Sequence, residues 1–129
     1  MQFTASVVNQ TCPLPLDNHE VFEQLWNPSQ DIHVQYPILI NFGAKWCGPC
    51  QKVDWKFLLE EFQDKFAAIY KCDVDANKYT PGFVGARKIP SWCILKGPKQ
   101  IIGPVQISDT SQVASWIFNT LQQLKTKKE

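Results

Sequence analysis

A short apolar run that leads into two closely spaced cysteines constrains the fold of this chain more than any other feature. The run is Ile38–Phe42, and the pair is the motif Cys47-Gly48-Pro49-Cys50. The length and branching of the run predict a strand that is buried on both faces. From Cys47 to about Phe66, apolar side chains recur at helical spacing, which predicts one long amphipathic helix. We therefore expect the cysteine pair where a strand has ended and a helix begins.

Three further segments predict strands of the same sheet. Residues 67–74 follow the helical pattern, and a strand, a helix and a second strand form a parallel βαβ unit. Residues 91–95 predict a third strand, and residues 100–107 predict a strand that returns antiparallel to it as a hairpin. Gly103-Pro104 weakens this last strand, because proline is tolerated mainly at a sheet edge. We therefore expect residues 100–107 at an edge.

Helices are predicted before and after these strands. Asp17 followed by Glu20 resembles a capping box, and the apolar face that follows predicts a helix at about residues 17–27. Proline and glycine limit any helix within residues 75–88 to a short one. Asp109 is the predicted cap of a last helix. The fold class is therefore α/β, with a mixed central sheet of four to five strands and helices on both faces.

Size and composition indicate one folded domain. The chain has 129 residues, of which 44% are hydrophobic and 19% are charged. A chain of this length buries a core without crosslinks. We assign residues 1–11 to an N-terminal extension with a strand candidate at Phe3–Val8, residues 12–125 to the domain, and residues 126–129 to a basic C-terminal tail.

Charge and hydropathy argue against two classes of partner. The formal net charge of +1 lacks the basic excess typical of proteins that bind nucleic acids or membranes. No stretch approaches the roughly 20 apolar residues of a membrane helix. Met1–Val8 has no basic residue and no long apolar stretch, so neither a secretion signal nor a transit peptide is predicted. The expectation is a cytoplasmic monomer that binds no nucleic acid and no membrane.

The number of cysteines does not fit a closed disulfide scaffold, because it is odd. The five are Cys12, Cys47, Cys50, Cys72 and Cys93. A Cys-x-x-Cys pair can also be half of a zinc site. However, His19 and His33 are isolated upstream, and Cys72 and Cys93 lie in separate predicted strands, where inert core thiols are the simpler interpretation. We therefore favour a redox-active dithiol over a metal site.

The expected position of the dithiol at a helix start has chemical consequences. A helix start presents backbone N–H groups without partners, which favour thiolate over thiol. Cys47 is therefore the predicted nucleophile toward a substrate disulfide. Cys50 lies one turn later and deeper, and it is predicted to resolve the mixed disulfide by attacking Cys47. Pro49 suits a first helical turn, where its missing N–H has no partner in any case.

Three segments closely resemble the thioredoxin family. Residues 38–50 resemble its active-site strand and loop, Lys71–Asp75 its next parallel strand, and Val84–Ser91 the segment that leads into its cis-proline. The resemblance covers about residues 14–124. It implies a thioredoxin fold, reduction of protein disulfides and no bound cofactor besides the Cys47–Cys50 disulfide. It also implies a thioredoxin reductase or another dithiol donor that recharges the dithiol.

The same resemblance implies a substrate groove. The Ile89–Pro90 bond is expected to be cis, which turns the backbone of Ile89 toward the dithiol, where it can pair with an extended substrate. Trp46 is expected to flank this groove, and Gly48 and Pro49 to contact substrate from the dithiol loop. The loop at residues 105–107 is the expected far wall.

One departure from the family concerns proton transfer. Thioredoxins usually bury an aspartate six residues before the first cysteine, and here that residue is Asn41. An amide is no general base at neutral pH. Lys71 matches the usual partner of that aspartate and is expected to lack its counterion. Water or Asp54 are the alternative proton acceptors, and we predict reduced but not absent reactivity.

Other departures concern shape and charge. Trp55 replaces the family's helix-kinking proline, which predicts a straighter helix. Gln106 stands near the family's groove glycine, unless the loop is realigned through Gly103. Lys88 stands where a glycine is common and adds positive charge to the rim.

Three functions remain in competition at this point. The first is a protein disulfide reductase. The second is a redox-coupled adaptor that binds one partner through the groove with low turnover, which the altered positions Asn41, Trp55 and Gln106 motivate. The third is an oxidase or isomerase. Gly48-Pro49 argues against it, because those enzymes usually carry histidine in place of this proline.

Overall fold

The computed structural model describes residues 12–126, which form five strands and five helices. The predicted strand at Phe3–Val8 lies outside the described residues. The strands are β1 (Leu14–Pro15), β2 (Ile38–Gly43), β3 (Ala68–Asp73), β4 (Ser91–Gly97) and β5 (Gln100–Gln106). The helices are α1 (His19–Trp26), α2 (Gly48–Gln51), α3 (Trp55–Phe62), α4 (Tyr79–Val84) and α5 (Thr110–Thr126).

The sheet is mixed, in the order β1-β3-β2-β4-β5. β3 runs parallel to both β1 and β2, whereas β4 runs antiparallel to β2 and to β5. All six residues of β2 are buried, as expected for a central strand. β5 lies at an edge and contains Pro104, which confirms that prediction.

The two faces of β2 separate the core into two halves, because side chains alternate along a strand. Ile38, Ile40 and Phe42 pack with Phe22 and Leu25 of α1. Leu39 faces the opposite way and packs with side chains of α3 and α5; these are Leu58, Leu59, Phe62, Val113 and Ile117. Helices therefore cover both faces of the sheet, as predicted.

The start of α1 differs from the prediction by one residue. Asn18 is the N-cap, and its side chain accepts a hydrogen bond of 3.0 Å from the backbone N–H of Val21. The capping box of Asp17 and Glu20 is therefore wrong. An amide and a carboxylate cap equally well, so the spacing alone did not decide between neighbours. Asp109 does lie at the start of α5, where its carboxylate accepts the N–H of Gln112 at 3.2 Å.

The long helix predicted from Cys47 to Phe66 is interrupted. α2 ends at Gln51, and α3 begins at Trp55 with Asp54 as its N-cap. The backbone N–H of Asp54 donates to the hydroxyl of Thr110 at 3.1 Å instead of continuing a helical ladder. The straight helix expected from the missing proline is therefore wrong, because a side-chain cap breaks the helix at the same place.

Candidate active site

The dithiol lies between the end of β2 and the start of α2. Cys47 is the N-cap of α2, and its Sγ accepts the backbone N–H of Cys50 at 3.3 Å. The two residues are joined as a disulfide, with their Cα atoms 5.3 Å apart. Because α2 has only four residues, the unpaired N–H groups that the sulfur of Cys47 can meet belong to a single helical turn.

Exposure does not distinguish the two cysteines, which are 6% and 7% exposed. The expectation that Cys50 lies deeper is not met by this measure, but the neighbours of the two sulfurs differ. The Sγ of Cys47 lies 4.0 Å from the carbonyl oxygen of Ile89. The Sγ of Cys50 lies over Gly43, at 3.3 Å from where a side-chain carbon on that glycine would be. Cys47 therefore borders the groove, and Cys50 faces the sheet.

The segment around Pro90 forms one side of the groove. The Ile89–Pro90 bond is cis, as the resemblance implied. The carbonyl of Pro90 accepts the N–H of Ile107 at 3.3 Å, so that the predicted far wall begins beside Pro90. Gly103 has a φ of +93°, and a Cβ there would lie 2.8 Å from the carbonyl of Trp92. Strand geometry therefore accounts for this glycine.

Trp46 lies on the surface next to the dithiol. Its side chain is 70% exposed, and its Nε1 donates to the carboxylate of Asp75 at 2.8 Å. Gly48 and Pro49 are exposed as well. A cleft of about 340 Å³ lies between Trp46, Val74 and Ile89. A large, exposed aromatic side chain is thus held in place next to the dithiol.

Asn41 is buried on the α3 side of the sheet. It is 3% exposed, and its Nδ2 donates to the carbonyl of Ser91 at 3.4 Å. A Cβ added to Gly43 would lie 3.6 Å from the Oδ1 of Asn41. The same Cβ would lie 3.3 Å from the Sγ of Cys50. An amide oxygen therefore stands near the second cysteine, where the family usually has a carboxylate.

Lys71 is the neighbour of Asn41 in the parallel register of β2 and β3. Among residues 12–126 it forms no ion pair with a carboxylate. Its Nζ lies 5.9 Å from the ring centroid of Trp55, which in turn packs against Trp92 at 5.6 Å. Trp55, which stands where the family usually has a proline, thus packs with Lys71, which lacks the aspartate partner usual in the family.

Comparison with known proteins assigns the chain to a family. The thioredoxin family model matches residues 20–119. The chain belongs to the thioredoxin family. A thioredoxin from Haemophilus influenzae is 34% identical over 89 residues, which cover 67% of this chain and 81% of that protein. A thioredoxin from Alicyclobacillus acidocaldarius is 37% identical over 99 residues, which cover 74% of this chain and 92% of that protein.

Solved structures agree on the fold. Thioredoxin from Malassezia sympodialis matches with a TM-score of 0.69 at 23% identity, over 87% of this chain and 93% of that one. Thioredoxin from Trypanosoma brucei brucei matches with a TM-score of 0.70 at 16% identity and the same coverage of both chains. This is a thioredoxin fold, and together with the family match and the Cys47–Cys50 pair it makes the protein a thiol–disulfide oxidoreductase. These findings do not favour the adaptor hypothesis.

Asp54, one of the two alternative proton acceptors, is engaged elsewhere in this thioredoxin fold. Its carboxylate accepts the N–H of Phe57 at 3.1 Å as the cap of α3. This capping role was missed from the sequence, although an aspartate three residues before an apolar helical position is a recognisable signal. The simpler role of Asp54 is therefore to start α3.

Two cysteines outside the dithiol are buried in the core. Burial raises the pKa of Cys72 to about 12, and the nearby carboxylates of Asp73 and Asp17 add to this effect. Burial also raises the pKa of Cys93 far above that of an ordinary thiol, with a smaller contribution from Cys72. Both are therefore neutral, inert thiols at physiological pH.

Between residues 12 and 126, no group of three or more His, Cys, Asp or Glu side chains is arranged to hold a metal ion. None of the helices in that range combines the length and the apolar character needed to cross a bilayer.

Proposed function

We propose that this thioredoxin-family protein reduces disulfide bonds in proteins, with Cys47 as the attacking thiol and Cys50 as the resolving thiol. The observation that carries this proposal is the environment of Cys47. Its sulfur receives a backbone N–H at 3.3 Å and faces the Ile89 carbonyl of the groove. Backbone N–H groups at the start of a helix favour the thiolate over the thiol, and the thiolate is the nucleophile.

The reaction begins with the reduced dithiol. The Cys47 thiolate attacks one sulfur of a substrate disulfide, the substrate S–S bond breaks, and the other substrate sulfur leaves as a thiolate that takes up a proton. Cys50 then loses its proton and attacks the Sγ of Cys47, which releases the second substrate thiolate. Two electrons have passed to the substrate, and Cys47 and Cys50 are left as the disulfide.

The groove holds the substrate chain for this exchange. The Ile89 carbonyl lies 4.0 Å from the Sγ of Cys47, so that an extended chain can pair with the backbone there. Trp46, Gly48 and Pro49 are exposed and flank Cys47 in the sequence, and we propose that they contact the same chain. We assign these residues to substrate binding.

Asn41 and Lys71 mark where this protein differs from its relatives. The second step needs a base for the proton of Cys50, and the amide of Asn41 does not accept it. Lys71 contacts Trp55 and no carboxylate of the described residues. We propose that water takes the proton and that resolution is slower than with a buried carboxylate.

The partners follow from the same chemistry. A disulfide left on Cys47 and Cys50 needs a dithiol donor, and a thioredoxin reductase is the partner that we propose. Cys72 and Cys93 are present as thiols, which suits a reducing compartment such as the cytoplasm. We propose that the protein acts there as a monomer in electron transport to protein disulfides and in redox homeostasis, without a cofactor of its own.

The test is reduction of insulin disulfides with NADPH and a thioredoxin reductase as the electron source. We expect steady NADPH oxidation with the wild type and none above background with Cys47→Ser. Cys12→Ser is the matched control, because it changes a cysteine outside the dithiol, and it is expected to react as the wild type does. Equal rates for wild type and Cys47→Ser contradict the proposal.

A further inference from the structure

The cleft beside Trp46 has an apolar floor and a basic rim. The floor includes Val74, Pro81 and Ala86, and the rim carries Lys78 and Arg87. With a volume of about 340 Å³, it accommodates one or two side chains of a bound peptide. The cleft is therefore large enough to select among substrates by one or two of their side chains.

This cleft adjoins the reacting sulfur. Ile89 lines the cleft, and its carbonyl oxygen lies 4.0 Å from the Sγ of Cys47. Trp46 also lines the cleft, and it directly precedes Cys47 in the chain. A chain whose disulfide reaches Cys47 therefore places neighbouring residues in or beside the cleft.

The basic side chains around the cleft form no ion pairs, whereas the nearby carboxylates accept hydrogen bonds. Lys78 and Arg87 are exposed, as is the adjacent Lys88, and none of the three forms an ion pair with any residue between 12 and 126. On the acidic side, Asp75 accepts the Nε1 of Trp46 at 2.8 Å. Asp73 accepts the backbone N–H of Asp75 at 2.9 Å. Both carboxylates keep their charge, but the three cations outnumber them and are free of ion pairs within residues 12–126.

We propose that this cleft recognises acidic peptide segments, so that the protein preferentially reduces protein disulfides flanked by Asp or Glu. This inference rests on the proposed reductase function and names the substrate class of the same site. The cations act on the encounter and on the mixed disulfide, where a carboxylate of the bound segment meets Lys78 and Arg87. Because both cations are exposed, salt weakens the preference.

Disulfide-bonded model peptides that differ only in two flanking residues test this inference. The flanking pair is Glu-Glu, Gln-Gln or Lys-Lys, and kcat/KM is measured at low and high salt. We expect the acidic peptide to react about threefold to tenfold faster than the neutral one at low salt, as two exposed ion pairs allow. The basic peptide is expected to react more slowly than the neutral one.

Two double variants assign the effect to the cleft. In K78Q/R87Q, the ratio of kcat/KM for the acidic peptide to kcat/KM for the neutral peptide is expected to fall to about one. K56Q/K125Q removes the same charge from the exposed surfaces of α3 and α5 and is expected to keep the wild-type ratio. If the wild type reduces acidic and neutral peptides equally well, the inference is wrong and the reductase function stands. If no peptide is reduced at all, the proposed function fails and the inference fails with it.

Discussion

Asn41 and Cys50 border the same space above Gly43, the glycine at the end of β2. A Cβ at Gly43 would lie 3.3 Å from the Sγ of Cys50 and 3.6 Å from the Oδ1 of Asn41. The absence of a side chain at Gly43 therefore lets a buried polar group approach the second cysteine. In this protein that group is an amide, which hydrogen-bonds but does not act as a base.

Asn41→Asp is expected to accelerate resolution. A carboxylate at this position can accept the proton of Cys50, and we expect the rate of insulin reduction near neutral pH to rise at least about tenfold. Burial raises the pKa of the introduced carboxyl, so the gain should appear as the pH rises through that pKa. The measurement is a pH–rate profile of the wild type and the variant.

Asn119→Asp is the matched control for this experiment. It makes the same chemical change on the exposed surface of α5 and is expected to leave the profile unchanged. An unchanged rate for Asn41→Asp over the whole pH range would show that the amide does not limit resolution.

Trp55→Ala is expected to destabilise the fold. The substitution removes the contact with Trp92 and the aromatic face over which the Nζ of Lys71 lies. Trp55 is half-buried, so we expect a loss of about 2 kcal/mol in the free energy of unfolding, measured in urea. Trp46→Ala removes the same type of side chain from a site that is 70% exposed and should change this free energy by less than about 0.5 kcal/mol. Equal losses for the two variants would contradict the packing described for Trp55.

Cys72 and Cys93 are expected to resist alkylation in the folded, oxidised protein. Both are buried, and the pKa of Cys72 is raised to about 12. In a Cys12→Ser background, mass spectrometry after iodoacetamide treatment at pH 8 should find no label until guanidinium unfolds the chain. Labelling of folded protein at the rate of an ordinary thiol would contradict the assigned burial.

The raised pKa of Cys72 also predicts that the stability of the fold depends on pH. The thiol of Cys72 has a higher pKa in the folded state than the ordinary value of 9.0. Its contribution to stability is therefore fully present below about pH 9 and is lost as the pH rises toward 12. Cys72→Ala should flatten this loss in urea unfolding measured between pH 8 and 11. An unchanged slope would assign the alkaline loss to other groups.

Two cap substitutions test the helix boundaries. Asn18→Ala removes the acceptor of the Val21 N–H and should cost about 1 kcal/mol of unfolding free energy. Asp17→Ala changes the exposed neighbour that does not cap α1 and should cost less than about 0.5 kcal/mol. A larger loss for Asp17→Ala would restore the capping box expected from the sequence.

The sequence predicted the parts of the fold that depend on local apolar patterns. Residues 38–43, 91–97 and 100–106 form strands where the pattern indicated them, and proline predicted the edge position of β5. β1 was not predicted, because two residues, one of them Pro15, show no periodicity. Its existence depends on pairing with β3, which is distant in the chain.

The break between α2 and α3 shows where local patterns fail. The apolar positions from Cys47 to Phe66 fit one helix, whereas at the break the backbone N–H of Asp54 donates to the hydroxyl of Thr110, 56 residues along the chain. In the site, the motif and the resemblance indicated the dithiol, Pro90 and Trp46. The packing of Lys71 on Trp55 depends on the same tertiary arrangement and could not be predicted from spacing.

The unequal roles of the two cysteines are tested most directly by trapping the mixed disulfide. Reduced Cys50→Ser and Cys47→Ser proteins are incubated with a disulfide-bonded peptide, quenched with acid and analysed by mass spectrometry without reductant. We predict a stable peptide adduct on Cys47 in Cys50→Ser and no comparable adduct in Cys47→Ser. An adduct of equal or higher yield on Cys50 in Cys47→Ser would contradict the assignment of Cys47 as the nucleophile.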